Sequence, residues 1–114
     1  MHELSVCRAM LEQVAEIAGR HGARCVQGIV VRIGPLSGVE PALLARTFPL
    51  ARAGTVAAHA ELTIEPQPVR VRCDACGAES AATPSRLLCA ACGDWRTRLI
   101  SGDELVLASV ELVT

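Results

Sequence analysis

Apolar residues recur through residues 4–18 at Leu4, Cys7, Leu11, Val14 and Ala18, with Met10 and Ile17 beside them. That i, i+3, i+4, i+7 spacing predicts a helix with one apolar face. Gly19 and Gly22 bracket its expected end, where Arg20 and His21 complement the negative end of the helix dipole. Ile29-Val30-Val31-Arg32-Ile33 is β-branched, mostly apolar and ended by Gly34-Pro35, the pattern of a central strand. After a turn at Ser37-Gly38, Glu40 and Pro41 open a second helix carrying Leu43, Leu44, Thr47 and Phe48. Proline needs no donor at the first helical position, and a carboxylate there meets the positive helix end. Pro49 cannot donate an interior hydrogen bond, so a kink or an early stop is expected, with Gly54 closing the segment.

Beyond residue 60 the period changes to two. Ala60, Leu62 and Ile64 share one face while Glu61, Thr63 and Glu65 share the other, which predicts a half-buried strand ended by Pro66 and Pro68. Ser101-Gly102-Asp103 marks a turn, and Val106, Ala108, Val110 and Leu112 alternate in a last strand. Outside the cysteine-rich stretch between these strands, the chain offers three strands and two helices. The last strand is therefore expected to return to the first sheet. The predicted fold class is α+β: a small three-stranded sheet with two helices over residues 1–68, completed by 101–114, with a module inserted at 69–100.

Composition narrows the chemistry. The chain has 114 residues, enough for one ordinary domain or one small core plus a stapled module. Aromatic residues make up only 2%, namely Phe48 and Trp95, too few for a base-stacking platform. Arginines number eleven against twelve acids, and a formal charge of −1 does not indicate a polyanionic partner such as nucleic acid. No apolar run reaches the roughly 18 residues of a membrane span, and Met1-His2-Glu3-Leu4 lacks the basic-then-apolar layout of a signal peptide. A cytoplasmic location is expected. No glycine-rich phosphate loop or local nucleophile–base motif marks an enzyme.

In a reducing compartment, close cysteine pairs read as metal ligands. Cys73-Asp74-Ala75-Cys76-Gly77 and Cys89-Ala90-Ala91-Cys92-Gly93 are two such knuckles, with twelve residues between Cys76 and Cys89. A two-residue spacer lets both thiolates turn onto one ion, and the following glycine relieves the tight backbone. Four thiolates make the closed tetrahedral shell of structural Zn(II), with no open position for catalysis; iron also accepts such a shell. A zinc ribbon at 69–100 is the expectation, and two rivals are a rubredoxin-like iron carrier and a zinc-ribbon module that binds protein or nucleic acid. Cys7 and Cys25 are expected to pack in the core, and His21 to serve as a helix-end charge. His59, in a loop before a strand, is a weaker metal candidate.

The N-terminus offers a different donor set. The Met1 amine, the His2 amide nitrogen and the His2 imidazole can close fused five- and six-membered rings around one ion. Amide nitrogen gives a strong planar field, which suits Ni(II) or Cu(II) and not tetrahedral Zn(II). The fourth donor can be the Glu3 amide or a carboxylate of Glu3 or Glu40. By itself, His2-Glu3 equally reads as the plain opening of a helix.

Taken together, the residues resemble the HypA/HybF family of hydrogenase maturation factors. The resemblance is carried by Met1-His2-Glu3, Ile33-Gly34-Pro35-Leu36-Ser37-Gly38-Val39 and Phe48 through Gly54-Thr55. It continues through Glu61-Leu62-Thr63-Ile64-Glu65, the paired knuckles and Ser101-Gly102-Asp103-Glu104-Leu105. One departure is Cys-Ala-Ala-Cys at the second knuckle, where a proline is usual. The resemblance implies a nickel metallochaperone, not an enzyme, with His2 as the essential Ni(II) ligand helped by backbone nitrogens of Met1 and Glu3. It implies structural Zn(II) on Cys73, Cys76, Cys89 and Cys92, and a weaker correspondence at Glu40. It further implies partnership with the GTPase HypB, delivery to the [NiFe]-hydrogenase large subunit, and in some members service to urease maturation proteins. A monomer or weak homodimer, without membrane or nucleic-acid partners, is expected.

Overall fold

A computed structural model describes residues 3–114. Helix α1 spans Glu3–Arg20 and buries Cys7, Met10, Leu11, Val14 and Ala18, the face set by the apolar spacing. Leu4, at the open first turn, is 39% exposed. Strand β1 spans Cys25–Ile33, helix α2 Pro41–Ala51 and strand β2 Glu61–Pro66. Glu40 caps α2, its carboxylate accepting from the Ala42 amide, and Pro41 opens the helix without wasting a donor. Pro49 neither stops α2 at once nor leaves its end open. The helix runs on to Ala51, and the Arg52 amide closes the last turn on the Phe48 carbonyl at 2.9 Å.

The first sheet has the order β2-β1-β6, where β6 spans Leu105–Val113. β1 and β2 pair in parallel through the α2 crossover, and β6 returns antiparallel to the other edge of β1. Both helices contribute to one core with Ile29, Val31 and Ile33 of β1, and with Leu62 and Ile64 of β2. The core side of β6 differs from the strict alternation expected. Leu105, Leu107, Val110 and Leu112 pack inward, whereas Val106 and Ala108 are exposed. A register shift lies where Val30 pairs with Ser109 and Val31 with Leu107. Ala108 is the extra residue there, and one inserted residue moves every later side chain to the opposite face. Cys25 is a second correction: it begins β1 on the exposed side, and Val26 takes the core position.

The helices run side by side in the same direction. Cys7 Sγ faces the Leu44 carbonyl at 4.0 Å, and farther along both helices Leu11 and Ala15 share a groove with Ala51 and Val56. The start of α1 and the Glu40–Pro41 start of α2 therefore lie at one end. The loop after β1 is at that end too, since Gly34 and Pro35 share a cleft with Glu40, Pro41 and Pro66.

Residues between β2 and β6 form a second antiparallel sheet, β4-β3-β5, from Arg70–Cys73 (β3), Glu79–Ala81 (β4) and Thr97–Ser101 (β5). Val69, Val71, Cys73 and Cys89 are its buried apolar residues among those described. With the two sheets set along one axis, the molecule measures 52 × 26 × 16 Å, and its radius of gyration is 17.2 Å. A compact chain of this length would give about 13 Å. No helix among the described residues is long and apolar enough to cross a membrane.

Candidate metal centre

The two knuckles meet. Cys73 leaves the end of β3, Cys89 leaves the loop before β5, and the four Sγ atoms of Cys73, Cys76, Cys89 and Cys92 lie within 4.8 Å of one another. Cys73 and Cys92 approach to 3.6 Å, as do Cys76 and Cys89. Four sulfurs around a central ion at bonds of about 2.3 Å would stand about 3.8 Å apart at the corners of a tetrahedron. The cluster therefore fits one four-coordinate thiophilic ion, and it contains no histidine or carboxylate.

Both knuckles use the same local device. The Cys76 amide points at Cys73 Sγ and the Cys92 amide at Cys89 Sγ, each at 3.4 Å. The Gly77 amide bonds the Cys73 carbonyl at 3.0 Å, and the Gly93 amide bonds the Cys89 carbonyl at 2.8 Å. These turns carry the chain into the left-handed region at Gly77 (φ 76°) and Gly93 (φ 78°), where a Cβ would be strained. Cys-Ala-Ala-Cys thus closes as tightly as its partner without a proline. Amides aimed at sulfur also favour thiolate. The Cys92 and Ala91 amides help hold Cys89 down at about 6. At Cys92 the Asp94 amide pulls down, but hydrogen bonding with Cys73 and burial prevail and push the thiol up to about 12. Without an ion, four clustered thiols share protons; a bound cation removes that competition.

Side chains that belong to no sequence motif hold the cluster in place. The Ser80 hydroxyl accepts from the Ala90 amide at 3.1 Å, tying the second knuckle to β4. Thr97 Oγ1 donates to the Leu87 carbonyl at 2.6 Å and anchors the approach to Cys89. Asp94 accepts from the backbone and guanidinium of Arg96, which hold its carboxyl down at about 2. Each acts through the backbone or a near neighbour, so no period or motif announces it. Three of the five arginines in residues 69–100 are paired: Arg72 with Glu79, Arg96 with Asp94 and Arg98 with Asp74.

Met1 and His2, the proposed start of the terminal chelate, lie outside the described residues. Glu3 opens α1, and Glu40 sits at the same end with its carboxylate engaged by α2. His59 lies elsewhere. Its loop enters β2 at Glu61, opposite Gly28, whereas the Glu40 end adjoins Ile33 and Pro66, five strand residues or about 16 Å away. His59 is brought to neither the cysteine cluster nor the start of α1.

The family described as "hydrogenase/urease nickel incorporation, metallochaperone, HypA" matches residues 1–112. A hydrogenase maturation factor HypA from Nitrosospira multiformis is 49% identical over 114 residues, covering 100% of this chain and 99% of that one. Another, from Aquifex aeolicus, is 41% identical and covers 98% and 97% of the two chains. Among solved structures, the solution structure of the Ni metallochaperone HypA from Helicobacter pylori superposes with a TM-score of 0.75. It shares 26% identity and covers 99% of this chain and 98% of that one. Matched over nearly its whole length by the family, by these relatives and by a solved structure, the chain belongs to the HypA family of nickel metallochaperones, which are maturation factors and not enzymes.

Proposed function

We propose that this protein binds Ni(II) at its N-terminus, through His2 and backbone nitrogens of the first residues, and hands it to the [NiFe]-hydrogenase large subunit together with the GTPase HypB. Urease maturation proteins are further recipients where a cell contains them. In this reading residues 1–68 with 101–114 carry nickel and residues 69–100 carry Zn(II), held by Cys73, Cys76, Cys89 and Cys92 in the cytoplasm, where thiolates stay reduced. The observation that carries it is the family match over residues 1–112, which takes in Met1-His2-Glu3.

Physical chemistry supports the division of labour. A closed four-thiolate shell suits a resident structural ion. A chelate on a chain terminus, built partly from backbone nitrogen, suits an ion that must leave. Two helices begin at that end, and their positive dipole ends would repel a dication were Glu3 and Glu40 not beside them. Imidazole must be deprotonated to ligate, so protons compete with nickel and affinity falls in mild acid. Rival readings find less support. Trp95, the aromatic residue nearest the knuckles in sequence, is 75% exposed and does not wall off the cluster as an iron carrier would need. The 69–100 segment has five arginines against three acids, an excess that a four-thiolate dication site cancels. Little positive charge remains for nucleic acid.

The test is a calorimetric nickel titration of the zinc-loaded, untagged protein beside His2→Ala and a form with one extra N-terminal residue. One nickel per chain, lost in both variants, is the expected outcome. Loss in His2→Ala alone would remove the amine from the chelate, and no nickel binding in the natural chain would end the reading.

A further inference from the structure

Two lobes that share no large apolar interface ordinarily move against each other. Here the crossings are the segments Gln67–Val69 and Gly102–Glu104, and few of their polar groups are idle. The Gln67 amide bonds the Ile33 carbonyl at 3.0 Å, and Ser101 Oγ donates to the Pro68 carbonyl at 2.7 Å. The loop after β1 then clasps the outgoing chain. Leu36 donates to the Gly102 carbonyl at 2.8 Å, Gly34 donates to the Glu104 carbonyl at 2.9 Å, and the Gly102 amide bonds Glu104 Oε1 at 2.8 Å. β-Pairing reaches Ile33 with Leu105 on one side and Arg70 with Ser101 on the other, so three residues separate the two ladders on the outgoing chain.

The backbones here touch. A Cβ on Gly34 would fall 2.1 Å from the Gly102 oxygen and 2.3 Å from its carbonyl carbon. A Cβ on Gly102, whose φ is +117°, would fall 2.9 Å from Val69 Cγ2 and 3.0 Å from Val69 Cα. Three strands of backbone thus cross within contact, and any side chain at Gly34 must pry them apart. The same loop runs on through Pro35 and Val39 to Glu40, at the end where α1 begins.

We propose that the Gly34–Gly102 crossing is a rigid joint that makes the two lobes one body, and that both glycines are positioning residues for nickel delivery. They present the start of α1 and the cysteine ribbon to a recipient in one fixed relation. The joint itself rests on the geometry above; its role in delivery rests on the nickel reading.

The experiment is ¹⁵N relaxation on the zinc-loaded chain, with Gly34→Ala, Gly102→Ala and Glu104→Ala beside it. The natural chain is expected to tumble as one body. In the glycine variants the ribbon amides should lose the helical lobe's correlation time and take a shorter one. Cobalt substituted at the cysteines should keep its thiolate absorption, and titrated Ni(II) its stoichiometry. Hydrogenase maturation in cells carrying these variants should drop several-fold while nickel binding persists, a split that a merely misfolded protein would not give. Glu104→Ala adds no clash and removes one strap, so it gives a smaller separation even if a glycine variant fails to fold. Independent tumbling in the natural chain, or one shared time in the folded variants, would overturn the joint. Unchanged maturation alongside separated lobes would overturn its role in delivery. Absence of nickel binding in the natural chain would instead strike the nickel reading and leave the joint standing.

Discussion

Cys7 and Cys25 show how position decides a residue's chemistry. Both are free thiols outside the cluster, but Cys7 is fully buried beneath the start of α2 and Cys25 stands exposed at the head of β1. Burial, and then the nearby charge of Glu3, push the Cys7 thiol up from its ordinary range, so it resists forming the reactive thiolate. With metal loaded on the cluster, limiting iodoacetamide at neutral pH should modify Cys25 first and leave Cys7 intact, read by peptide mass mapping. Faster labelling of Cys7 would contradict the burial on which this rests. Apolar spacing identified Cys7 correctly because a helix repeats its face. Cys25 precedes the apolar run, where nothing local tells the inner side of a strand from the outer.

At the scale of elements, the two leucines that begin α2's apolar pattern have different jobs. Leu44 is fully buried against α1, whereas Leu43 is 43% exposed. Replacing Leu44 by alanine should cost about 3 kcal/mol, since it removes a packed side chain and leaves a cavity. Leu43→Ala should stay within about 0.5 kcal/mol. Urea unfolding followed by helical ellipticity measures both, and equal losses would mean that α2 is not docked as described. Most element boundaries were legible in the chain: α1, α2, β2 and the turns around them follow from period, caps and prolines. The inward side of β6 was not. Ala108 fits the alternation of its neighbours, and only pairing with β1 shows that it is the extra residue of a bulge.

Over the whole molecule, stability is divided unevenly. The helical lobe has a core drawn from two helices and three strands, while the ribbon has few buried apolar residues besides its ligands. A module of that size needs a metal in place of a core. Stripping the ion with a chelator at neutral pH should therefore collapse the dispersed amide signals of residues 70–101 and leave the helical circular dichroism largely intact. Loss of both together would show that the lobes fold as one cooperative unit. Cys73→Ser should reproduce the chelator's effect without one, because three thiolates no longer close the shell.

Whatever depends on neighbours along the chain can be read from the residues alone. Helical faces repeat every three or four residues, proline and glycine mark where elements start and stop, and two cysteines with two residues between them can turn onto one ion. The motifs at Met1-His2-Glu3 and at the knuckles were legible for the same reason, and they sufficed for the family. What depends on segments far apart came from the folded chain alone: the common end of α1 and α2, the bulge in β6 and the crossing of Gly34 with Gly102. In each case the residues involved look ordinary in their own stretch of chain. Their meaning arises from a contact whose other half lies tens of residues away, and no local period encodes such a distance.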